Sequence, residues 1–156
     1  MPSHILTRNC TRHERDHAPS ARALQEAPAA PRAILKSTCQ DTCVFGKGVP
    51  VHNHVGHINS RELGNELASV LGDRQAVLMK MHGAVIVGPS IERAFAYSLH
   101  LEENAEKQLL AEASGNTVIG MTPAEVERCI ELSFGDRSIE KRWQYYAKKE
   151  ASLKSP

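Results

Sequence analysis

Gln75-Ala-Val-Leu-Met-Lys-Met-His-Gly-Ala-Val-Ile-Val-Gly88 decides how this chain folds. Two apolar runs, Ala76 to Met79 and Ala84 to Val87, flank one imidazole and one glycine. Both runs are aliphatic and rich in β-branched residues, the composition of strands buried on both faces. Gly83 lets the backbone turn or be approached closely. The stretch therefore reads as strand, histidine at the strand end, strand. A histidine delivered by a strand end is held in place, as a metal ligand or an acid/base group must be. A core histidine bonded to backbone satisfies the same spacing.

Outward from this pair, helix signals dominate. Asn59-Ser-Arg-Glu62 fits a capping box with Asn59 as the cap. Leu63, Leu67, Val70 and Leu71 then form one apolar stripe, and Gly72 stops it. The longest helical pattern runs from about Ser90 to Ser114, with Ile91, Ala94, Phe95, Ser98, Leu101, Ala105, Leu109 and Ala113 at three- and four-residue steps. Thr122-Pro123-Ala124-Glu125 is a second capping box with proline at the first helical position. A last basic helix is expected from Ser138 to about Leu153, with Trp143, Tyr145 and Tyr146 packing against the body or a neighbouring subunit. A tyrosine acting at an active site is the sharper alternative. Upstream, residues 37–59 are punctuated by Gly46, Gly48, Pro50 and Gly56 and read as turns. Ala33-Ile34-Leu35 suits a short strand, residues 17–26 a helix, and residues 1–16 an irregular segment.

The totals narrow the function classes. A chain of 156 residues is one ordinary domain. A net charge of +1 gives no bulk pull toward nucleic acid or acidic membrane, and 4% aromatics disfavour a base-stacking surface. No apolar run is long enough to span a bilayer, and no apolar secretory core opens the chain, so a cytoplasmic protein is expected. Cys10, Cys39, Cys43 and Cys129 are irregularly spaced and read as free thiols; a zinc knuckle at Cys39 and Cys43 is the weaker alternative.

Other histidines cluster by spacing. His52-Asn-His54, with His57, would turn two imidazoles to one face if the segment were a strand. The surrounding glycines and proline favour a loop instead. His13 and His17 share a face only on a helix. His100 sits mid-helix as surface or core filler.

The stretch from Gly48-Val-Pro through Asn65-Glu-Leu-Ala, the His82-Gly83 segment, Ser90-Ile-Glu-Arg-Ala and Leu101-Glu-Glu-Asn-Ala-Glu resembles the class II aldolase and adducin family. Residues 48–114 match the C-terminal half of that domain. The resemblance implies a three-layer α/β/α sandwich around a largely antiparallel sheet, N-terminally truncated relative to the family, with residues 17–156 as the incomplete domain. It implies a divalent metal, zinc first and manganese second, held by three histidines. His82 is the third ligand of that set. His17-Ala-Pro-Ser-Ala-Arg-Ala-Leu resembles the second half of the His-x-His motif, which makes His17 another. The first histidine falls on Arg15, which stays protonated and cannot ligate a cation; His13 lies two positions further upstream. The family's acid/base glutamate belongs to the N-terminal half, which residues 1–16 do not resemble, so no catalytic residue is assigned.

The implied chemistry is lyase chemistry: C–C cleavage through an enediolate or enolate stabilised by a Lewis acid. The substrate class is a hydroxy ketone or sugar phosphate, cleaved as by an aldolase. Decarboxylation of a dihydroxylated aromatic acid is the first alternative, and a non-catalytic adducin-like assembly domain the second. A homo-oligomer is implied, with no nucleic-acid or membrane partner. A rearranged metal site of His52, His54 and His82 is a third arrangement of the ligands.

Overall fold

The computed structural model describes residues 4–9, 35–133 and 135–153. Four strands form one sheet: β1 (His4–Asn9), β2 (Val51–His52), β3 (Ala76–Met79) and β4 (Gly83–Gly88), in the order β1-β4-β3-β2. β4 pairs antiparallel with β1 and with β3, while β2 pairs parallel with β3. The two central strands are those decided by the Gln75–Gly88 stretch. The helices are α1 (Arg61–Leu71), α2 (Ile91–Ala113), α3 (Pro123–Ser133) and α4 (Asp136–Leu153), with a 3-10 helix at Gln40–Phe45.

Strand alternation sorts β3 and β4 onto two cores. Ala76, Leu78, Ala84 and Ile86 pack with Tyr97, Leu101 and Ala105 of α2, joined by Leu35, Phe45 and Val49. Val77, Met79, Val85 and Val87 point the other way, against Ile58 and the α1 residues Leu67, Val70 and Leu71. The near-continuous apolar runs follow from this burial on both faces. Helix, sheet and helix are thus the three layers expected. Among the described residues, no helix is long and apolar enough to cross a membrane.

Helix ends follow side-chain caps. Ser60, not Asn59, caps α1: its Oγ accepts from the Leu63 backbone N–H at 3.2 Å. The box at Thr122 forms as read, with the Thr122 backbone N–H donating to Glu125 Oε2 at 2.8 Å and the Glu125 N–H donating to Thr122 Oγ1 at 3.4 Å. In α4, Trp143 and Tyr146 meet Phe95 of α2 edge to face, with ring centres 5.5 Å and 5.3 Å apart. Those aromatics pack α4 on the body, the role expected for them.

Two expectations are corrected. The irregular segment over residues 1–16 contains β1, which runs in full antiparallel register from His4 opposite Gly88 to Asn9 opposite Gly83. The pairing is directed by the free edge of β4, a long-range cause invisible in the local pattern. The turn-rich reading of residues 37–59 misses the 3-10 helix and β2. The helix expected at 17–26, with Arg15, His13 and His17, lies outside the described residues.

Candidate functional site

His82 closes the tight turn from β3 to β4. Its backbone N–H donates to the Met79 carbonyl at 3.0 Å. Met81, just before it, takes a left-handed φ of 61°, which a residue with a side chain adopts only where the surroundings impose it. Gly83 follows at φ 155°, within the region that favours glycine. The imidazole at this turn is half-buried. It thus stands at the margin of the core rather than within it.

The ring of His82 meets the ring of His57 edge to face, with centres 5.1 Å apart and planes at 86°. Both imidazoles line a cavity of about 430 Å³ between α1 and the sheet. Its remaining walls are Ile58, Gly64, Leu67, Ala68, Leu71, Met79, Val85 and Val87, so no cationic side chain is among the described residues lining it. That volume suits a small organic ligand.

His52 and His54 form a separate pair, with ring centres 6.1 Å apart. β2 ends at His52, so the strand alternation that would have matched the two rings does not reach His54. His52 is buried, its Nε2 lies 3.9 Å from Glu66 Oε2, and its Nδ1 has no hydrogen-bond partner among the described residues. His54 is exposed. These two line a different cavity, on the other flank of α1, with Glu66, Ser69 and Val70. The described residues thus divide His52 and His54 from His82, and the rearranged three-histidine site is not formed.

One group of three donors does gather. Asp41, His100 and Glu103 each place one ligand atom within 4.8 Å of the other two. Asp41 is on the 3-10 helix, and His100 and Glu103 are on α2, the opposite side of the sheet from His82. The sequence could not expose this group, because Asp41 is brought in from far along the chain. His100 is only 2% exposed, and its pKa is pushed down to about 4, by burial first and the Arg142 charge second, against the pull of Asp41. The sign of the linkage is fixed by that depression. The unfolded imidazole takes a proton near its ordinary value and the folded one does not. Stability is therefore full above pH ~6.5 and falls, by roughly 3 kcal/mol, as the pH drops toward ~4. Urea denaturation across that window should show the loss in the wild type and a smaller one in His100→Gln.

Among the described residues, Cys39, Cys43 and Cys129 are free thiols, as expected; Cys10 lies outside them. Cys43 is fully buried, and burial, then the neighbouring Cys129, pushes its pKa up to about 11.

Comparison with known proteins adds an independent line. The family model described as Class II Aldolase and Adducin N-terminal domain matches residues 15–109. A 3,4-dihydroxyphthalate decarboxylase from Rhodococcus jostii (strain RHA1) is 30% identical over 117 residues, covering 74% of this chain and 48% of that protein. The solved structure of an L-fuculose 1-phosphate aldolase superposes with a TM-score of 0.60 at 25% identity, over 72% of this chain and 50% of that one. A second, from Glaciozyma antarctica PI12, gives 0.65 at 22% identity, over 86% and 49%. The chain spans about half the length of these relatives.

Proposed function

The chain belongs to the class II aldolase and adducin N-terminal domain family, and from that premise we propose that it holds a divalent-metal site for C–C lyase chemistry, with His82 and His17 as ligands. Class II aldolases generally depend on a divalent metal. The described residues fit such an ion at His82, where a turn presents a half-buried imidazole at the mouth of a cavity and faces it with a second imidazole. Zinc is the first choice for imidazole ligands and manganese the second. When bound, the ion would supply Lewis-acid polarisation of substrate oxygens.

The observation that carries the reading is the cavity itself. Leu67, Leu71, Val85 and Val87 offer an apolar slot beside two imidazoles, without a lysine or arginine among the described lining to hold a phosphate. Those apolar walls suit the faces of a hydroxylated ring. Decarboxylation of a dihydroxylated aromatic acid is therefore the activity the geometry supports best, in keeping with the likeness to 3,4-dihydroxyphthalate decarboxylase. Aldol cleavage of a sugar phosphate is the second reading, supported by the likeness to L-fuculose 1-phosphate aldolase. The same proposal makes the protein a cytoplasmic homo-oligomer.

Metal analysis and two assays test it. The purified chain, stripped and reloaded, should retain near-stoichiometric zinc or manganese and release carbon dioxide from 3,4-dihydroxyphthalate in preference to cleaving L-fuculose 1-phosphate. His82→Ala should weaken metal binding by at least about a hundredfold. A wild-type chain that binds neither ion would leave an adducin-like assembly domain as the reading.

A further inference from the structure

Two carboxylates and one buried imidazole converge on the side of the sheet away from His82. Asp41, His100 and Glu103 each place one ligand atom within 4.8 Å of the other two. His100 and Glu103 lie three residues apart on α2, so both side chains leave one face of that helix. Asp41 comes from the 3-10 helix. That helix is anchored: Thr42 and Cys43 are fully buried, and Thr42 Oγ1 donates to the Cys39 carbonyl at 2.7 Å. Asp41 is exposed, Glu103 half-buried and His100 only 2% exposed. The group therefore opens to solvent at Asp41 and ends on a fixed ring at His100.

The chemistry of the three suits a cation. Two like charges at this spacing repel one another, and neither carboxylate is bonded to a lysine or arginine among the described residues. Lys107, four residues beyond Glu103, turns its Nζ to Cys39 Sγ at 3.5 Å instead. Burial first, and the Arg142 charge second, hold the His100 pKa at about 4, so at neutral pH the ring is in the unprotonated form that binds metals. Arg142 and Lys107 both act on His100 and offset part of the carboxylate charge, which makes the affinity moderate. Donors bound to a tetrahedral zinc stand about 3.3–3.6 Å apart. Rotation of the two carboxylates closes the difference while His100 stays in place.

We propose that Asp41, His100 and Glu103 form a divalent-cation site, a staple joining the 3-10 helix to α2. Imidazole beside carboxylates selects a borderline ion such as zinc or cobalt over magnesium or calcium. An ion held there links segments far apart in the chain and stabilises the folded state by its binding. The site shares no residue with the cavity at His82 and does not depend on the function proposed for that cavity.

Zinc titration of the metal-stripped full chain, read by calorimetry and by thermal melts, tests it. The His82→Ala chain should still bind one zinc ion and melt at a higher temperature with it; magnesium at the same concentration should do neither. Adding Glu103→Gln or Asp41→Asn, two changes outside the core, should weaken that zinc by at least about tenfold and cancel the thermal shift. Glu106→Gln removes an exposed carboxylate from the same helix and should change neither reading. Zinc affinity and thermal shift left intact by both Glu103→Gln and Asp41→Asn would overturn the proposal. A folded His82→Ala chain that binds no zinc would overturn it too, and would leave His82 standing as a ligand. If His82→Ala does not fold, the same two changes in the wild type should each remove one equivalent of bound zinc, and removal of none would defeat the staple.

Discussion

Asn104→Ala is expected to destabilise the protein by about 2–3 kcal/mol, because it leaves partly buried backbone groups without partners. Asn104 is fully buried on α2. Its Oδ1 accepts from the Thr38 backbone N–H at 3.1 Å and from Thr38 Oγ1 at 2.6 Å, and its Nδ2 donates to the Lys36 carbonyl at 2.6 Å. One helical turn on, Gln108 Oε1 accepts from the Lys36 N–H at 2.8 Å. The two amides, four residues apart, give the extended segment at 36–38 the hydrogen bonds a neighbouring strand would have given it. Alanine removes one of these two supports and opens a cavity at the same place. Urea denaturation should show a lower midpoint with little change in slope. A change of only a few tenths of a kcal/mol would mean that water takes over these bonds and that the segment is not clamped as described.

Gly88→Ala should cost about 2–3 kcal/mol, the upper part of the range for overpacking. A Cβ at Gly88 would stand 2.8 Å from the Ala94 backbone nitrogen and 3.1 Å from its Cα. Those atoms belong to the first turn of α2, which Ser90 caps through its Oγ, accepting from the Arg93 N–H at 3.3 Å. Main chain held by a cap cannot swing aside as a side-chain tip can. The sign is the informative part. Elsewhere a glycine-to-alanine change lowers unfolded-state entropy and stabilises by about 0.4–1 kcal/mol. Gly64, on α1, has nothing within 4 Å of its would-be Cβ and provides that contrast. Thermal melts of Gly88→Ala beside Gly64→Ala should move in opposite directions.

Where sequence reading succeeded, the cause was local. Ala76–Met79 and Gly83–Gly88 carry their strand character in composition, and Ser90, Gly72 and the Thr122 box mark helix ends by chemistry within four residues. Where it failed, the cause lay far along the chain. β1 exists because β4 has an edge to pair, and no alternation over His4–Asn9 announces that. The histidines were misgrouped for the same reason. Spacing favours His52 with His54, yet the contact at the cavity mouth joins His57 to His82 across 25 residues by difference of their numbers. The resemblance identified the family, but a likeness taken position by position does not reveal the contact between His57 and His82, which comes only from three-dimensional proximity.

The alternation along β3 and β4 separates two kinds of selection. One set of their side chains, with α2, sustains the larger core. The other set, with α1, walls the cavity lined by His57 and His82. Substitutions behind the sheet can therefore accumulate as thermal tolerance without reshaping what enters in front of it. Substitutions in front can retune ligand preference while leaving the larger core untouched. A laboratory evolving a new activity on this scaffold would randomise Ile58, Leu67, Ala68 and Val87 and hold Leu78, Ile86 and Leu101 fixed. The sheet thereby acts as a firebreak between durability and novelty.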